Sequence, residues 1–122
     1  MSYDVRLSVK VEGAKDCYAI VAQPEYDSPT YNIGTILRLA MGFDFKQGTW
    51  YKADEILPFI EHGIHELQFN GRRYKQYEPD NGWGNVGDAL ESLESLRECI
   101  RREVSGNYSW NEIPLNCLYV TW

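Results

Sequence analysis

Two short clusters in this 122-residue chain combine residue types at spacings that could do chemistry. The first is Glu61-His62-Gly63-Ile64-His65-Glu66, where paired imidazoles could begin a metal site. The order is not H-E-x-x-H, and no third or fourth ligand is suggested. At 100° per residue both histidines project nearly opposite the stripe of Ile56, Ile60, Ile64 and Leu67, so they are expected to face solvent. Neither a metal nor a cofactor is expected.

The second cluster, Gly82-Trp83-Gly84-Asn85-Val86-Gly87, matches G-x-G-x-x-G and precedes a helical pattern. A dinucleotide fingerprint must also follow a buried parallel strand. Here the preceding Tyr77-Glu78-Pro79-Asp80-Asn81 reads as a turn, and Asp80 and Asp88 would repel a pyrophosphate. Two readings remain. The expected one is a set of turn glycines and a helix cap, with Trp83 anchored in the core. The other is a recognition loop presenting Trp83 beside Tyr74 and Tyr77.

Three further features concern the helix that follows. Arg97 falls at the centre of its apolar stripe, where a charge is costly unless paired or able to reach water. An edge arginine paired with a carboxylate is expected, and a functional arginine in a cleft is the alternative. Glu91, Glu94 and Glu98 line the flank beside the stripe, either as a solvated face or as an acidic strip that competes for a basic nucleic-acid groove. Nucleophilic catalysis finds no support, since neither G-x-S-x-G nor a P-loop lysine is present, and the chain is read as a non-enzyme.

The elements that must position these residues are legible from periodicity. Tyr3 to Glu12 alternates, with Tyr3, Val5, Leu7, Val9 and Val11 on one face, and predicts a half-exposed strand. Turn residues at 12–16 lead to Cys17–Ala22, apolar on both faces and so expected to be a more buried strand in a hairpin. After a loop with Pro24 and Pro29, the residues Ile33, Ile36, Leu37, Ala40 and Met41 predict a helix ended by Gly42. Gly34 either sits in its first turn or lets another segment approach. A second helix is expected from near Asp54 to Asn70-Gly71, with Pro58 one turn in. The third and most regular carries Val86, Ala89, Leu90, Leu93, Leu96, Ile100 and Val104 on one stripe. Ser105-Gly106-Asn107 ends it, a loop passes Trp110 and Pro114, and Leu118, Val120 and Trp122 mark a final strand.

That order predicts one α+β domain over residues 1–122, a small mainly antiparallel three-stranded sheet with about three helices on one face. Its length allows a core burying roughly two thirds of the unfolded chain's surface. Twelve basic against eighteen acidic residues give a net charge of -6, which argues against direct nucleic-acid or membrane binding and for a basic protein partner or simple solubility. No apolar run is long enough to span a membrane and the start lacks signal-peptide character, so the chain is read as cytoplasmic. Cys17, Cys99 and Cys117 lack metal-site or disulfide spacing and are expected to be buried thiols. Nine Tyr, four Trp and four Phe favour an interaction surface without locating it.

Thr30-Tyr31-Asn32-x-Gly34, Ala53-x-x-x-Leu57-Pro58 and Pro79-x-Asn81-Gly82-Trp83-Gly84 before a leucine-rich helix together resemble a loose group of short phage- and prophage-encoded proteins. The likeness covers roughly Thr30 to Arg101. The chain departs from the group at Asn70-Gly71, where Asn-Pro is common, and in a longer Cys17 to Tyr31 region. The resemblance implies a mobile-element setting, in which small acidic proteins frequently bind and block host factors, and it brings no catalytic residue. The expectation is therefore a stoichiometric inhibitor of a host defence complex, such as an anti-CRISPR protein. Its binding residues would be Trp83, Tyr74, Tyr77, Glu91, Glu94, Glu98 and Arg97. The alternatives are a protein that sequesters a nucleotide signal, with Arg97 or Arg38 inside an aromatic pocket, and an immunity protein that neutralises a toxin.

Overall fold

A computed structural model of the chain describes residues 1–106 and 112–122. The elements run β1 (Arg6–Lys10), β2 (Tyr18–Ala22), α1 (Gly34–Met41), β3 (Tyr51–Lys52), α2 (Ala53–Phe69), α3 (Val86–Ser105) and β4 (Leu118–Thr121). Single 3-10 segments occupy Tyr31–Ile33, Gly71–Tyr77 and Leu115–Cys117. The fold is α+β, with a four-stranded antiparallel sheet ordered β2-β1-β4-β3. The expected hairpin and C-terminal strand are present, and β3 adds a fourth strand of only two residues, too short for a period to register. The expected stop at Asn107 and the loop through Trp110 lie outside the described residues.

The alternation of the first strand holds through Tyr3, Val5 and Leu7, all buried. It then fails, because the β1–β2 register shifts between Leu7 and Ser8, and Val11 emerges into solvent. The expectation that β2 is the more buried strand is overturned. Ile20 is 61% exposed, because β2 is the sheet's outer edge while α2 packs over β3 and β4 at the other side. A period of one apolar residue per position signals burial only when both faces have something to cover them.

The three helices follow their stripes. Ile36, Leu37, Ala40 and Met41 of α1, Ile56, Ile60, Ile64 and Leu67 of α2, and Ala89, Leu93, Leu96 and Ile100 of α3 are all buried in one core with Leu118, Val120 and Trp122. Gly42 ends α1 in the left-handed conformation, φ 69°. Gly34 begins that helix and also permits close approach, since a Cβ there would run into the Tyr3 hydroxyl and the Arg38 guanidinium. Asp54 and Glu55 occupy the first turn of α2, where they meet the helix dipole, and the helix continues through Pro58. Cys99 is buried, but Cys17 and Cys117 are exposed, so the expectation of buried thiols fails for two of the three. Both exposed cysteines directly precede strands, Cys17 before β2 and Cys117 before β4, at the end of the sheet where the β1–β2 hairpin turns.

Candidate functional site, an acidic groove beside α3

The N-terminus of α3 is built by local chemistry. Asn85 Oδ1 accepts from Asp88 N at 2.8 Å and Asp88 Oδ2 accepts from Asn85 N at 3.1 Å, a reciprocal capping box. Glu78 Oε2 accepts from the next orphan donor, Val86 N, at 2.9 Å. The loop between them does not bury its indole. Trp83 is 71% exposed, which corrects the expectation of a core anchor. The loop is sealed instead by backbone at Gly84, φ 98°, where a Cβ would lie 2.7 Å from Ile33 Cγ2 and 2.9 Å from Thr30 Cγ2. With the peptide pressed against that wall, the preceding side chain points outward.

Tyr74 and Tyr77, expected beside Trp83, part company. Tyr74 is 8% exposed and its hydroxyl donates to Glu66 Oε1 at 2.8 Å, so it is a buried strut rather than a contact residue. Burial first, and then this bond, raises the Tyr74 phenol's pKa. The bonds from Tyr74 and from Asn70 Nδ2 hold the Glu66 carboxyl below its usual value. Tyr77 remains exposed on the 3-10 segment.

Glu91, Glu94 and Glu98 face the loop that follows β2 across a groove of about 1020 Å³. The opposite wall brings Glu25 and Asp27, two carboxylates that the acidic Pro24-Glu25-Tyr26-Asp27-Ser28-Pro29 segment could have signalled but that helix periodicity could not place. This wall is fixed. Tyr26 N donates to Ser95 Oγ at 2.9 Å, Val5 N to Asp27 O at 2.8 Å and Tyr3 N to Pro29 O at 2.8 Å. Five carboxylates thus line one concavity, with Asp27 Oδ2 accepting from Arg6 Nη1 at 3.4 Å and the lining guanidinium of Arg102 placing its Nε 3.3 Å from Glu98 Oε1. The Tyr26 phenol registers the environment: burial raises its pKa, and the charges of Asp88 and Glu91 raise it further.

Arg97 lies elsewhere. Its Nη1 donates to Glu61 Oε2 at 3.1 Å, and Arg101 Nη2 sits 3.7 Å from Glu61 Oε1, so both arginines tie α3 to α2. The paired edge arginine is the arrangement observed. His62 and His65 are exposed, with His62 Nδ1 2.9 Å from the Ala40 carbonyl and His65 against the Phe69 ring. Among the described residues no three His, Cys, Asp or Glu side chains are grouped so as to hold a metal ion.

The chemistry available in the groove is electrostatic. Ser95 Oγ is occupied by a backbone donor, and burial pushes the Cys99 thiol up to about 11, which keeps it protonated and poorly nucleophilic at neutral pH. Among the described residues, no helix is long and apolar enough to cross a membrane. No protein-family model, curated protein or solved structure matches this chain.

Proposed function

We propose that the protein is a non-enzymatic, stoichiometric inhibitor that lays its acidic groove on a basic surface of a host protein, of the kind that holds nucleic acid in a defence complex such as a CRISPR effector. The observation that carries this reading is the convergence of Glu25, Asp27, Glu91, Glu94 and Glu98 on one concavity. A surface of this kind presents spaced negative charge to a channel evolved for phosphates, and it competes with nucleic acid for the same lysines and arginines. Rim charges contribute mainly steering and specificity. Trp83, four residues ahead of the groove residue Gly87, supplies the desolvated aromatic anchor that charge alone lacks. The resemblance to phage-encoded proteins supports the setting.

The nucleotide-sequestering alternative is disfavoured by the same charges, since a carboxylate-lined groove repels phosphate. Arg38 is engaged with the Phe45 carbonyl at 3.0 Å and with Asp44 at 3.4 Å, Arg97 is engaged with Glu61, and neither lines the groove.

Tagged protein is used to capture partners from host lysate, beside the variants E91Q/E94Q/E98Q and Trp83→Ala. The expected catch is a nucleic-acid-binding protein, displaced by added oligonucleotide and lost with either variant. A toxin caught instead supports the immunity reading. A protein that captures nothing and retains a nucleotide through purification overturns the proposal.

A further inference from the structure

A second surface carries the opposite charge. Where α2 ends, the segment Gly71–Tyr77 wraps Arg72, Arg73 and Lys75 around a cleft of about 490 Å³, floored by Leu67 and Val86. Phe69 lines the same cleft and is 72% exposed, far more than the core needs from it. The His65 imidazole lies 4.8 Å from its ring and steadies it. Arg73 is 3.7 Å from Glu66, whereas Arg72 and Lys75 have no ion-pair partner among the described residues. Two carboxylates stand nearby and keep their charge, Glu66 held by the Tyr74 hydroxyl and the Asn70 amide and Glu78 by the Val86 N–H, so three cations face two anions. A positive, aromatic patch therefore stands on a chain whose net charge is -6.

We propose that this cleft binds single-stranded nucleic acid, with a base stacked on Phe69 and the adjoining phosphates on Arg72 and Lys75. The net charge argues against indiscriminate adhesion, but charge here is segregated, and at ordinary ionic strength a field is felt over only about 10 Å. Base stacking needs an exposed flat ring beside cations that track a backbone, and both are present at one cleft. A duplex keeps its base faces covered and offers nothing for the ring to stack on. An acidic peptide would satisfy the cations and leave Phe69 without a flat partner. The inference rests on residues separate from the acidic groove, so it stands or falls apart from the inhibitor reading.

The test is fluorescence anisotropy of a short labelled single-stranded DNA titrated with the full chain. Two phosphate contacts, on Arg72 and Lys75, predict an affinity that falls roughly sevenfold between about 50 and 200 mM salt. Phe69→Ala is expected to weaken binding about tenfold with an unchanged melting temperature, because the ring is exposed. R72A/K75A is expected to abolish binding, while E94Q/E98Q leaves it intact or tightens it. The proposal is overturned by no binding at low salt, by equal affinity in the Phe69 and Arg72/Lys75 variants, or by equal affinity for a duplex or a poly-glutamate peptide.

Discussion

An exposed indole on a loop shaped by left-handed glycines contributes little to the core, so Trp83 separates binding from folding. Trp83→Ala is expected to shift stability by no more than about 0.5 kcal/mol. The same change removes a readily acrylamide-quenched component of the tryptophan fluorescence, and it lowers partner affinity by about 2 kcal/mol. The cysteines give a second residue-scale expectation. Cys17 and Cys117, both exposed, react quickly with a thiol reagent at about pH 8, whereas Cys99 reacts only on unfolding or as the pH nears its value of about 11. Three equally fast thiols would contradict the packing of α3. At this scale the sequence was weakest. Tyr74 and Trp83 are both aromatic residues in polar company, and what buries one and exposes the other is a hydrogen bond to Glu66 and a glycine backbone pressed on Ile33, neither of which is encoded locally.

The helices were the most legible elements, because a 3.6-residue stripe as long as that of α3 has only one way to bury itself. The edge position of β2 was hidden, since the same apolar run suits an interior strand, and strand order depends on contacts far along the chain. Arg97 tests the α2–α3 seam. Arg97→Ala is expected to cost about 1 kcal/mol and Arg101→Ala within about 0.5, because only the former makes a close hydrogen bond to Glu61. A double-mutant cycle with Glu61→Gln that shows no coupling would refute the seam. Gly84→Ala, with φ 98° and no room for a methyl, is expected to cost more than about 1 kcal/mol in denaturant melts. Glu66 ties α2 to the Gly71–Tyr77 segment, and its folded pKa is depressed. Its stabilisation is therefore present above the unfolded carboxyl value and fades as pH falls through the folded one. The gap in melting temperature between the wild type and Glu66→Gln should close on going from about pH 7 to below pH 4.

At the scale of the molecule, fold class and net charge were readable from the sequence, but the arrangement of charge was not. Glu91, Glu94 and Glu98 announced one wall of the groove, while Glu25 and Asp27 joined them only through the Tyr26–Ser95 bond and the stitching of the loop to Tyr3 and Val5. Two carboxylates of α2 that share the same negative total are engaged internally, Glu61 by Arg97 and Arg101 and Glu66 by Tyr74 and Asn70. The proposed inhibitory function would reside in a groove whose negative charge is gathered by packing. The most direct measurement of that claim is the dissociation constant of the complex with the captured partner at about 50 and about 500 mM salt, for the wild type and for E91Q/E94Q/E98Q. The account predicts a steep weakening with salt for the wild type and a shallow dependence for the variant. Equal affinity at both salt concentrations, or equal salt dependence in the two proteins, would contradict it.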